Sequence, residues 1–184
     1  EVSFGQDGNI STAGFEARYD GELANDFGNL ASRTLSMIAR YRDSVVPEAA
    51  AEPALADDFG GLTEAVFADF DRAALGDALE RCWVLVRRLN RYVEESRPWE
   101  LAKKSDDPDA SDRLDSVLYG LAEGLGTVTA HLAPFLPVAS ARLLTALGDR
   151  EPLLAPFGSR PGGYPVESLE PLFPRVESRD GNAG

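Results

Sequence analysis

The sequence predicts an all-α fold, a helical bundle of about five to six helices. Two observations carry this. Apolar residues recur at three- and four-residue steps along several long stretches, the period of a helix with one face turned to a core. No stretch alternates apolar and polar residues in the way a half-buried strand requires.

In chain order, residues 2–10 (V-S-F-G-Q-D-G-N-I) are rich in Gly and polar turn formers and read as a loop. Ser11 or Thr12 then caps a short helix through Phe15 and Tyr19. From 21 to about 42, Leu23, Phe27, Leu30, Ile38 and Tyr41 form an apolar stripe. Off that stripe Asn25, Asn29 and Arg33 recur every fourth residue, so their side chains face one way. Residues 44–58, with Pro47 and Pro53 among alanines and acids, read as an exposed connection. Helical pattern resumes near Leu62, with Val66 and Phe70 on one side.

A second long helix is predicted over 73–95, burying Leu79, Cys82, Val86, Leu89 and Val93, with Trp83 also in the core. Proline cannot continue the ladder and restricts its predecessor, so Pro98 should end this helix near Ser96. Trp99 then falls just past the break, where it can plug a helix junction or offer a flat face to a ligand. Residues 105–111 (S-D-D-P-D-A-S) read as a polar loop. A helix follows over about 112–133, with Leu114, Leu118, Leu121 and Leu125 inward. Gly120, Gly124 and Gly126 weaken it in isolation but allow close approach of a neighbour. His131 has no Cys or Asp at metal or catalytic spacing and reads as structural or partly exposed. Pro134 and Pro137 precede a last helix over about 138–147, stopped by Gly148. The tail from 149 is irregular, with Leu172 and Phe173 packing back on the body and 179–184 fraying.

At 184 residues, with 43% hydrophobic and 27% charged, the composition is that of one globular domain. No apolar run approaches the ~20 residues a bilayer demands, and the start carries no signal peptide. The single Cys82 excludes an internal disulfide and fits a reducing compartment. The net charge of −13 weighs against general nucleic-acid affinity, which depends on neutralising phosphates. A local patch can still serve, because specific recognition depends on where charge sits. Lys103 and Lys104 are the only lysines, so arginine must supply it. Arg87, Arg88, Arg91 and Arg97 crowd the end of the second long helix, where they also suit the helix dipole. A carboxamide and a guanidinium one turn apart, as at Asn29 and Arg33, are directed donors able to read base edges.

The phrase N-R-Y-V-E-E-S-R-P-W-E-L-A-K (90–103) resembles the tRNA-reading domain of bacterial methionyl-tRNA synthetase. So, in the same order along the chain, do F-G-Q-D-G-N-I-S (4–11), N-D-F-G-N-L-A-S-R-T-L (25–35), H-L-A-P-F-L-P (131–137) and L-F-P-R-V-E (172–177). The resemblance implies a class I aminoacyl-tRNA synthetase anticodon-binding bundle. On it, 1–10 is a linker from a missing catalytic domain, 11–148 the anticodon-binding domain, and 149–184 an irregular tail that packs back. It implies that Asn29 and Arg33 contact anticodon bases and that Trp99 stacks on a base of the CAU loop, with Pro98 fixing the ring. Arg87, Arg88, Arg91, Arg97 and Lys103 become candidates for RNA-backbone contact.

The implied partners are the tRNA(Met) anticodon stem-loop and the catalytic domain of the same parent chain, in the cytoplasm and with no membrane. One histidine cannot supply an H-I-G-H phrase, and no K-M-S-K-S phrase occurs. We therefore expect no catalytic residue, metal or cofactor in this chain. ATP binding and methionine activation would belong to the rest of the parent, of which a chain starting at Glu1 looks like a fragment. A reading from another class also fits the composition: a free-standing acidic bundle that binds proteins, with the arginines as a docking rim.

Overall fold

Ser11 caps the first helix by accepting a hydrogen bond from the Gly14 amide at 3.0 Å, as the sequence predicts. This helix, α1 (Thr12–Arg18), runs without a break through a π-helical stretch (Tyr19–Gly28) into α2 (Asn29–Tyr41). There follow α3 (Pro53–Asp58), α4 (Leu62–Asp71), α5 (Leu75–Ser96), α6 (Pro98–Ala102), α7 (Pro108–Leu132) and α8 (Pro137–Ala146). The computed structural model describes residues 11–104, 106–148 and 154–174. The predicted linker, the start of the tail and the end of the L-F-P-R-V-E phrase lie outside them. Among the described residues the fold is the expected all-α bundle, with five α-helices of ten residues or more and only one isolated antiparallel bridge, Val45 to Pro165.

The centre of the bundle is α7. Every residue from Val117 to Leu132 is buried, so this helix has no solvent face and must be covered all round. Glycine lets its neighbours close in. A Cβ on Gly124 would lie 2.7 Å from Leu89 Cδ2 on α5 and 3.0 Å from Phe59 Cζ, and one on Gly120 would lie 3.0 Å from Leu55 Cδ2. Of the predicted inward residues of α5, Cys82, Val86, Leu89 and Val93 are fully buried and Leu79 is half-buried, and Trp83 is in the core.

Two expectations are corrected, and one open alternative is decided. The stretch 44–58 is not merely an exposed connection, because Val46, Pro47 and Leu55 are buried and α3 forms within it. The polar run before α7 is partly helix. Asp107 accepts a hydrogen bond from the Asp109 amide at 3.1 Å and Pro108 takes the first helical position, so S-D-D-P-D is a cap sequence as well as a loop. Of the two alternatives for His131, the structural one holds, since it is buried. Its Nδ1 lies 2.9 Å from the Thr127 carbonyl, which can only accept. Nδ1 therefore carries the proton and Nε2 accepts from the Thr63 hydroxyl at 3.1 Å.

The described part of the tail, 154–174, lies across the bundle as a strap. Val46 N–H donates to the Tyr164 carbonyl at 3.0 Å, Gly163 N–H to Val46 at 2.7 Å and Val166 N–H to Ser44 at 2.8 Å. Arg160 donates to the carbonyls of Leu147 and Gly148, just past the end of α8. Leu172 is buried, and the Phe173 ring meets Phe27 at 6.2 Å and Tyr19 at 6.1 Å between centroids.

The strap leaves no room at Gly162, where a Cβ would fall 1.9 Å from the Pro47 carbonyl oxygen. Gly162→Ala should cost ~1–3 kcal/mol by forcing the strap off the 44–47 loop. A lowered urea midpoint with unchanged far-ultraviolet helicity is the expected result. Burial also lowers the His131 pKa below its ordinary 6.5. The unfolded chain then binds more protons in that window, so stability is complete above 6.5 and declines as pH falls through it. The urea midpoint should drop between about pH 7.5 and 5.5, and His131→Gln should flatten that dependence. Asp69 and Glu100, whose pKa values lie below 3.8 and 4.5, titrate too low to contribute there.

Candidate nucleic-acid interface

α5 stops where the sequence says it must, at Ser96. Arg97 takes a left-handed backbone conformation (φ 46°, ψ 60°), unusual for a residue with a side chain. Its amide still closes the helix by donating to the Val93 carbonyl at 3.1 Å. Pro98 is the buried first residue of α6, pre-set for that position by its ring. The chain thus turns within one residue. Trp99 sits in the first turn of α6, half-buried against the core.

α2 faces this corner from the side. Asn29 is exposed in its first turn and Arg33 follows one turn later. Arg33 Nη2 donates to Glu94 Oε1 on α5 at 2.7 Å, five positions before Trp99. Lower on the same seam, Asn90 Nδ2 donates to the Asp26 carbonyl at 3.1 Å. The Phe27 ring lies 6.2 Å from that of Trp83 beneath.

The predicted arginine cluster divides. Arg87 pairs with Glu80, and Arg91 is exposed and makes no hydrogen bond or ion pair among the described residues. Positions 87, 91 and 94 follow i, i+4, i+7, so these two arginines share a face with the carboxylate that holds Arg33. Arg97 is exposed at the break. Arg88 points elsewhere. It pairs with Asp58 at 2.6 Å and Glu95 at 3.3 Å, its guanidinium 5.6 Å from the Tyr92 ring centre. Lys103 pairs with Glu100 at 2.8 Å, and that hydrogen bond holds the Glu100 carboxyl below its ordinary range. The structure therefore brings Arg33 to α5 at Glu94, whose helix face Arg87 and Arg91 share by spacing, and engages Arg88 with Asp58 and Glu95 instead.

Sequence reasoning passed over two residues of this surface, Asn90 and Glu94. Their four-residue spacing and polar character on an otherwise apolar-striped helix were the available signal. Which helix they would meet was not.

The Cys82 thiol is buried, and burial pushes its pKa up to about 12, so it acts as an inert apolar filler. Among the described residues no three His, Cys, Asp or Glu side chains gather to hold a metal, and no helix is long and apolar enough to cross a membrane. An apolar groove of about 240 Å³ lies between α4 and the end of α7, lined by Val66, Phe67, Phe70, His131, Pro134 and Leu154; none of its lining residues belongs to the seam.

An all-α domain presenting an Asn–Arg pair on one helix, beside a helix break followed by Pro-Trp, is the class these features define. Over nearly its whole length this chain is homologous to a domain of methionyl-tRNA synthetases. It is 37% identical to the methionine–tRNA ligase of Caldanaerobacter subterraneus over 96% of the chain and 28% of that protein. With the Streptomyces coelicolor ligase it shares 39% over 97% of the chain and 36% of that protein. The apo Mycobacterium tuberculosis methionyl-tRNA synthetase superposes on it with a TM-score of 0.89 at 33% identity, over 96% of this chain and 37% of that one. No family model matches. The chain spans about a third of the length of these relatives.

The two tryptophans differ in surroundings, and fluorescence can separate them. Trp83 is buried, whereas Trp99 is half-buried. Acrylamide should quench Trp83→Phe, which reports Trp99, several-fold more readily than Trp99→Phe. Equal quenching would contradict this arrangement.

Proposed function

We propose that this chain is the anticodon-reading domain of a methionine–tRNA ligase, recognising the CAU loop of tRNA(Met) in translation. The observation that carries the reading is the Arg33–Glu94 bridge at 2.7 Å. It ties the helix bearing two base-edge donors, Asn29 and Arg33, to the helix whose end carries the half-buried ring of Trp99. RNA loops are read in this way, by splaying bases onto aromatic faces and pairing their exposed edges. Trp99 stacks on an unstacked loop base, and buried Pro98 limits the ring's freedom. Asn29 and Arg33 donate to base edges. Arg91 and Arg97 approach the phosphates; Arg87, Arg88 and Lys103, engaged with Glu80, Asp58 and Glu100, contribute less.

On this reading the chemistry lies outside the chain. Activation of methionine with ATP falls to the remaining two thirds of a ligase like the relatives, one of which, from Mycobacterium tuberculosis, has been solved in complex with methionyl-adenylate. The catalytic domain of the same parent is then the second partner, and the cytoplasm the site of action.

Binding of this chain to a CAU stem-loop, beside one with the first anticodon base changed, tests the proposal at fixed low salt. CAU should be preferred, and Trp99→Ala should lose ~1–3 kcal/mol, the worth of one stacked base. Equal binding to both loops would reduce the seam to an unselective arginine surface and defeat the reading.

A further inference from the structure

A site divided between two helices reads only as well as their register is held. The exposed Arg33–Glu94 pair is a weak fastening, screened by water and salt, and Arg33 must leave its guanidinium available to a base. Asn90 is differently placed. Its half-buried amide donates to the Val86 carbonyl of its own helix at 3.2 Å and, across the seam, to the Asp26 carbonyl at 3.1 Å.

Asp26 lies at the junction where π-helical backbone becomes α-helical. There the Asn29 N–H is shared between the carbonyls of Ala24, five residues back, and Asp26, three back. A junction of two hydrogen-bond periods has no single preferred phase, and an outside donor on one carbonyl selects among them. From another side the Phe173 ring closes on the same turn, 3.4 Å from where a Cβ on Gly28 would stand. The first residue past the junction is Asn29, so the phase chosen there sets the direction of its carboxamide.

We infer that Asn90 is a positioning residue for the anticodon reading proposed above. By holding the Asp26 carbonyl, it fixes the direction of Asn29 relative to the base stacked on Trp99. Asn90 itself touches no RNA. Its effect appears in discrimination between loops and not in general affinity.

Asn90→Leu removes the donor, and Asn90→Asp keeps the shape while replacing donor by acceptor. If either fails to fold, the other still answers. Each is measured on the CAU stem-loop and on the loop with its first base changed, alone and combined with Asn29→Ala and Trp99→Ala. We expect the ratio of the two dissociation constants to fall roughly tenfold, as for loss of one well-directed hydrogen bond. The coupling between Asn29 and Trp99 in a double-mutant cycle should vanish with it. A purely structural Asn90 would weaken both loops alike, so an unchanged ratio in a folded variant overturns the inference while the reading of CAU stands. No preference in the unaltered chain defeats the reading and the inference together.

Discussion

The whole architecture depends on covering α7. From Val117 to Leu132 it has no face left for water, yet it carries Glu123, Thr127, Thr129 and His131 among its apolar residues. Such a helix is stable only when every neighbour lies close and most of its polar groups have somewhere to turn. Thr129 returns its hydroxyl to the Leu125 carbonyl at 2.6 Å, and His131 is held between Thr127 and Thr63. Gly120 and Gly124 bring Leu55, Phe59 and Leu89 onto its backbone. The usual penalty of glycine in a helix, ~1 kcal/mol each, is offset by the contacts that a side chain would exclude.

That packing fixes α5, and α5 fixes the corner. A helix of 22 residues pinned along its length by Cys82, Val86, Leu89 and Val93 has little freedom at its end. The left-handed Arg97 is a local cost of order 1–3 kcal/mol, tolerated because buried Pro98 and the Val93 carbonyl hold the chain on both sides of it. An aromatic residue after so rigid a turn has a defined direction. The ring of Trp99 is half supported by the core and half available, as stacking requires, whereas a fully buried ring such as Trp83 offers no face.

Much of this was legible because the strongest signals are local. The period of Leu23, Phe27, Leu30 and Ile38, the Pro98 stop and the Gly148 terminus each depend on a few neighbouring residues, and the structure has them where the pattern put them. What was hidden depends on pairs distant in sequence. Nothing near His131 names Thr63 as its partner. Nothing near Arg88 says that Asp58 faces it while Arg87 and Arg91 turn the other way. The π-helical stretch was invisible for a related reason: i, i+4 and i, i+5 spacings place Asn25 and Asn29 on nearly the same face, so the residue pattern does not separate them. Asn90 and Glu94 could be seen as polar positions on α5 but not as the fastenings of a seam, since α2 is sixty residues away.

The charge of the chain constrains what such a seam can do. With a net −13 and most guanidiniums among the described residues already paired to a carboxylate, long-range attraction toward phosphate is weak. Among the described residues free cations such as Arg91 are few, so little of the binding energy can come from counterion release there. Recognition on the proposed reading therefore rests on short-range contacts, one stacked ring and a few directed donors, whose worth collapses with small errors of placement. That explains why a surface of so few residues is braced from three directions: by Glu94 on Arg33, by Asn90 on the turn before Asn29, and by Phe173 across Gly28. A domain that attracted RNA by its field could tolerate a loose seam; one that must discriminate by geometry cannot.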